Sequence, residues 1–177
     1  MGVEYSIMKK TLIERIDVDS SGESNVVFSS ISQEYDGLLL ICSVRNDSTN
    51  LTFDIHPNGS SADRTRTTIQ GSGAAATAAT GTDITPLQDS SAYTANTFAS
   101  TSVFIPNYTG SQTKGFSIES VTENDATTSY QRLQAGLWSN ANAITSLELS
   151  TASLFAEHSS FTLYGVSAGS DGSTSVA

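Results

Sequence analysis

Residues 136–166 read GLWSNANAITSLELSTASLFAEHSSFTLYGV, and the fold class follows from how this run alternates. It carries the only tryptophan, Trp138, followed by the turn-forming Ser139-Asn140-Ala141-Asn142. Leu147 and Leu149 then flank Glu148, a period of two that places apolar side chains on one face of a strand. A polar connection with Glu157 and His158 leads to a last strand, Phe161-Thr162-Leu163-Tyr164-Gly165-Val166. Two such strands joined by a short connection of polar and small residues form a hairpin-like or sheet-crossing unit of an all-β domain.

Working outward, Leu38 to Arg45 gives the strongest strand signal. Leu38, Leu40, Cys42 and Val44 share one face, while Leu39 and Ile41 make the other face apolar at its start. A strand apolar on both sides at one end is central, or is covered there by a loop or a second subunit. Further strands are expected over Asn25 to Ile31, Leu51 to His56, Arg64 to Gln70, Thr101 to Tyr108, Lys114 to Val121 and Ser129 to Trp138, and over Lys9 to Val18, where Leu12, Ile13 and Ile16 also fit a helix face but β-branched content and short length favour a strand. Along Ser129 to Trp138 the residues Leu133, Ala135 and Leu137 share a face. Turns are marked by Asp19-Ser20-Ser21-Gly22, Asp36-Gly37, Pro57-Asn58-Gly59 and Thr109-Gly110. About eight to ten short strands with regular turns and no helical period read as an antiparallel β-sandwich, jelly-roll-like.

One domain spans 1–177, which is long enough for a single core. Residues 1–10 are an N-terminal segment or arm. Residues 71–100 are a long flexible loop, because GSGAAATAATGTD offers neither charge nor large apolar groups before Asp83. Either Gly71 to Thr82 within it or the N-terminal segment before Leu12 is expected to order by contact with another chain. Residues 168–177 are a flexible tail.

Only eight Lys and Arg stand against eighteen Asp and Glu, a net charge of −10. That field repels phosphate backbones and excludes nucleic-acid binding as the expected role. No polybasic or long apolar run argues for a membrane, and residues 1–10 lack the order of a signal peptide. Met1-Gly2 with Ser6 fits the loose myristoylation pattern, read as chance without a second anchor. The single cysteine, Cys42, lies in an apolar strand and reads as core. About three residues in ten are Ser or Thr, which suits a thin sandwich and, equally, an exterior that packs against neighbours at low entropic cost.

The chemistry-bearing constellations are sparse. Asp17-x-Asp19-x-Ser21-Gly22 opens like a calcium loop, but its twelfth position is Phe28 where a bidentate Glu is needed, so a turn is expected. Glu123, Asn124 and Asp125 form an acidic turn. His56 and His158 are the only histidines, with no Gly-x-Ser-x-Gly elbow to go with them, and both read as surface groups. Trp138 and the tyrosines read as core and rim. No catalytic, cofactor-binding or metal-binding residue is expected.

Four segments also carry a likeness: Val26 to Asp47, Leu51 to Ser61, Phe104 to Asn124 and Gly136 to Val166. Within them stand Phe28 and Ile31 ahead of Tyr35, Leu38-Leu39-Leu40 running into Arg45, Ile105-Pro106-Asn107-Tyr108 with Lys114, Trp138 with Ala143-Ile144-Thr145-Ser146, and Leu163-Tyr164-Gly165-Val166. In this order, over about half the chain, they resemble a family of small virion structural proteins of tailed bacteriophages. Phe53-Asp54-Ile55-His56-Pro57-Asn58-Gly59 departs from the Arg-Phe-Asn-Gly often found there. The resemblance implies a non-enzymatic virion protein, most simply a capsid decoration or cement protein. It would be a symmetric oligomer, a trimer favoured, whose partners are the major capsid protein or other virion proteins. The rival readings are a tail-fibre or tail-tip module that recognises host-surface glycan and, third, a polysaccharide-cleaving module.

Overall fold

A computed structural model describes residues 9–125 and 127–167. The expected arm over 1–10 lies outside them except for Lys9 and Lys10, and the Met1-Gly2-Ser6 pattern and the expected tail over 168–177 lie outside them entirely. The described residues form eleven strands and no helix. They are β1 Lys9–Asp17, β2 Glu23–Phe28, β3 Gly37–Val44, β4 Asp54–Pro57, β5 Arg64–Gly71, β6 Ala76–Gly81, β7 Ala99–Pro106, β8 Lys114–Asn124, β9 Thr128–Trp138, β10 Leu147–Phe155 and β11 Ser160–Ser167. All pair antiparallel in two sheets, ordered β1-β11-β3-β7-β8-β9-β5-β6 and β2-β10-β4.

The first strand thus pairs with the last, the second with the next to last, and the third lies between β11 and β7. This is the wrapped pairing of a jelly roll, with β8, β9, β5 and β6 extending its larger sheet. The central place expected for β3 holds. Its inward face, Leu38, Leu40, Cys42 and Val44, is buried against Leu147 and Leu149 of the smaller sheet and the rest of one core.

Two clusters close the space between the sheets. Phe53 and Phe155, from the smaller-sheet side, and Phe161 of β11 meet edge-on, with centroids 4.9–6.3 Å apart. Such aromatic pairs add about 0.5–1.5 kcal/mol each beyond burial. At the other end Trp138 is buried as expected, with the Lys114 ammonium 5.6 Å from its ring centroid. Lys114 Nζ donates to the carbonyls of Asn140 (3.2 Å) and Asn142 (2.6 Å), tying the turn after Trp138 to β8. Burial lowers the pKa of this ammonium.

Tyr35 lies flat over Gly165: a Cβ there would sit 2.2 Å from the ring. Only a residue without a side chain admits that stacking, which gives the Tyr164-Gly165 step a packing reason.

The expected loop over 71–100 is corrected by this structure. Residues 76–81 form β6, hairpinned on β5 in the register Gly71↔Ala76 to Arg66↔Gly81. Residues 84–90 are buried and run beside β4, where Ile55 N donates to the Ile84 carbonyl (2.9 Å), Phe53 N to Pro86 (3.2 Å) and Gln88 N to Leu51 (2.9 Å). They serve as a further lane of the smaller sheet, and β7 begins at Ala99. Strand β6 needs no apolar pattern, because backbone hydrogen bonds to β5 hold it and almost none of its side chains is buried.

Candidate assembly face and polar cleft

The eight-stranded sheet has one face on the core and one outward. Strand β9 turns Gln134, Gly136 and Trp138 inward, so the face shared by Leu133, Ala135 and Leu137 is the outer one. Leu133 is 52% exposed and Ile69, its register partner on β5, 58%. The same face carries Leu137 opposite Thr65 and Gly115, Ala135 opposite Thr67 and Ser117, and farther along Phe104, Leu39, Tyr164 and Leu12 in consecutive register. Two shallow grooves cross it, one along Phe104, Gly115 and Ala135, the other along Thr67, Ile69 and Leu133. Charge along these rows is thin: Glu119, beside Leu133, accepts from Gln131 Nε2 at 3.0 Å. Exposed apolar groups grouped on a flat face mark an interaction surface more often than scattered ones do.

Strand β6 ends the sheet beside this face. Its sequence, ATAATG, holds no charge, no proline and no bulge, the devices that usually blunt an edge.

On the inward side of β9, beyond the smaller sheet, lies a cleft of about 220 Å³ lined by Leu51, Gln70, Leu87, Tyr93, Thr122, Tyr130 and Arg132. Arg132 Nε and Nη2 both donate to Gln70 Oε1, at 3.0 and 2.7 Å, and Nη1 reaches the Thr85 carbonyl at 3.4 Å. Burial and the neighbouring Arg66 lower the pKa of this guanidinium. Sequence reasoning missed this cleft. The available signal was Arg132 itself, in the inward register of a strand that continues to Gln134 and Trp138.

Behind Thr122 sits Asp89, buried, with Oδ1 accepting from the Thr122 hydroxyl and Oδ2 without a hydrogen-bond partner. Burial pushes its carboxyl above the ordinary value; Glu123 adds to this, while Thr97 and Arg45 oppose it. The folded chain therefore holds this proton more tightly than the unfolded chain. The resulting stability is full below the ordinary carboxylate range, near about pH 4, and is lost as pH rises through the raised pKa. Asp89→Asn keeps an acceptor for Thr122 and cannot ionise. Denaturation midpoints measured across pH are expected to fall less steeply above about pH 4 in Asp89→Asn than in the parent. Parallel profiles would show that Asp89 ionises without cost.

Cys42 is buried and its thiol pKa is pushed up by burial, as a core residue's would be. Asp19 Oδ1 accepts from Ser21 N (2.8 Å) and Ser21 Oγ (2.5 Å), Asp17 pairs with Arg15 at 2.6 Å, and Phe28 is core, so the calcium-like spacing is a turn. Glu123 is spent on the 94–97 turn, accepting from Thr94 N (2.8 Å), Thr94 Oγ1 (3.0 Å) and Thr97 Oγ1 (3.1 Å). Asn124 donates to the Tyr130 hydroxyl at 3.2 Å, and Asp125 is an exposed turn residue. His56 Nε2 lies 2.9 Å from Ser150 Oγ on the smaller sheet, outside the cleft, and His158 is an exposed turn residue with φ of 72°. No group of three or more His, Cys, Asp or Glu able to hold a metal ion occurs among the described residues. The chain matches no family model, no curated protein and no solved structure.

Proposed function

We propose that the protein is a non-enzymatic structural component of a bacteriophage particle, a decoration or cement protein assembled as a symmetric oligomer, a trimer favoured, on the capsid exterior. The observation that carries this reading is the charge-poor, apolar outer face of the eight-stranded sheet, lying next to the bare β6 edge in a chain of net charge −10. A protein that reinforces a lattice needs area, stiffness and matching symmetry more than it needs a deep pocket. The order of family-like segments supports the same reading.

The test has two parts. Light scattering on the isolated protein is expected to give a closed oligomer. The double variant Ile69→Lys, Leu133→Glu is expected to give a monomer that melts close to the parent, because both side chains are exposed and opposite charges face each other across the strand pair. Labelling of intact particles is expected to place the protein over the capsid. A monomer both free and on particles, or labelling confined to the tail tip, would overturn the proposal and restore the tail-module reading.

A further inference from the structure

The polar cleft is built differently from the rest of the surface. Its guanidinium is fixed by neutral groups alone: Gln70 Oε1 takes the two hydrogen bonds that a carboxylate would normally take, and the third partner is a backbone carbonyl. Among the described residues no carboxylate lies within ion-pair distance of Arg132, whereas Arg15, Arg64 and Arg66 each have one. With Nε and one Nη2 hydrogen held by Gln70, the guanidinium is fixed in place with its charge uncompensated, and an incoming carboxylate would pair with the remaining Nη1 and Nη2 hydrogens. Arg45 also lacks a carboxylate within ion-pair distance among the described residues, but its guanidinium is taken up by the carbonyls of Tyr93, Thr94 and Thr97, whereas Arg132 lines the cleft.

The remaining walls define the shape of the ligand. Tyr93 and Tyr130 line one part of it, the Tyr130 hydroxyl accepting from Asn124 Nδ2 at 3.2 Å, and Leu51 and Leu87 supply an apolar side. Aromatic faces beside polar groups suit a ring that is apolar on one side and hydroxylated at its rim. A volume of about 220 Å³ lies below the usual range for drug-sized ligands and has room for one such ring. The geometry points to a binding site for a single acidic sugar unit, a ring polyol whose carboxylate pairs with Arg132 while its ring packs on Tyr93 and Tyr130. The cleft opens on the opposite side of β9 from Leu133, so this inference does not rest on the assembly reading.

Calorimetric titration of the full chain with glucuronic acid tests it, with glucose and acetate as controls. Saturable binding of glucuronate is expected, with each control at least about tenfold weaker, a difference of about 1.4 kcal/mol. Arg132→Gln is expected to lose binding at least tenfold. Arg132→Lys, which keeps the charge and loses the fork, is expected to weaken it as well, and it carries the test if Arg132→Gln fails to fold. Absence of saturable glucuronate binding, equal binding of glucose or of acetate, or undiminished binding by Arg132→Lys would each overturn the proposal.

Discussion

Trp138→Ala is expected to destabilise the fold by roughly 3–5 kcal/mol, the range for emptying a large aromatic site in a packed core. The indole is buried at the end of β9, and replacing it leaves a void in the core that a rigid sheet fills poorly. The loss extends to β8, because the Lys114 ammonium over the ring is the group that anchors the carbonyls of Asn140 and Asn142. Trp138→Phe separates volume from polarity. The indole Nε1 is buried without a hydrogen-bond partner, so the phenyl ring gives up no such bond. Its cost is expected to be roughly half that of alanine, read as the shift in denaturant midpoint at constant slope. Equal costs for both variants would show that the nitrogen matters more than the ring.

Phe161→Ala is expected to cost a similar 3–5 kcal/mol, for a different reason. Phe161 belongs to the larger sheet, whereas Phe53 and Phe155 belong to the smaller-sheet side, so the edge-on cluster holds the two layers together at one end. Truncation removes the contacts at 4.9 and 6.3 Å while leaving the third pair intact. Phe161→Leu retains most of the apolar burial and is expected to recover more than half of the loss. If alanine and leucine prove equally costly, aromatic geometry outweighs burial at this position.

Where burial is alternating and one-sided, the sequence is a sufficient guide. Strand β3 shows its core face as Leu38, Leu40, Cys42 and Val44, and its central place follows from Leu39 on the opposite side. Strand β10 is legible for the same reason through Leu147 and Leu149, whereas β1, with no buried side chain, is read from its β-branched content and short length. Strand β9 shows where pattern alone misleads. Leu133, Ala135 and Leu137 look like a core face but point outward, because the inner side at that end is covered by residues 84–90 and holds Gln134, Gly136 and Trp138.

Residues 84–90 were illegible because their burial serves the backbone. Gln88, Asp89 and Ser90 read as a polar loop, yet they are buried, and Gln88 Nε2 donates to the Thr52 carbonyl (2.7 Å) and to Thr151 Oγ1 (2.9 Å). Strand β6 was illegible because almost nothing in it is buried. The cleft depends on Gln70, Tyr93 and Arg132 meeting from three distant stretches, a coincidence that no local spacing records.

The wrapped order of the strands also sets a timetable for the emerging chain. Strand β3 has β7 on one side, but its other neighbour is β11, and among the described strands β1 pairs with β11 alone. During synthesis the second edge of β3 therefore waits until the chain has been made through Ser160–Ser167, while β8 and β9 can pair as soon as they appear. Closing the longest loop last makes folding slow relative to helical proteins of this size, since the entropy of distant pairing is spent before the contacts form. A ribosome stalled ahead of residue 160 would thus carry β3 with the edge meant for β11 unpaired, a template on which other chains can add.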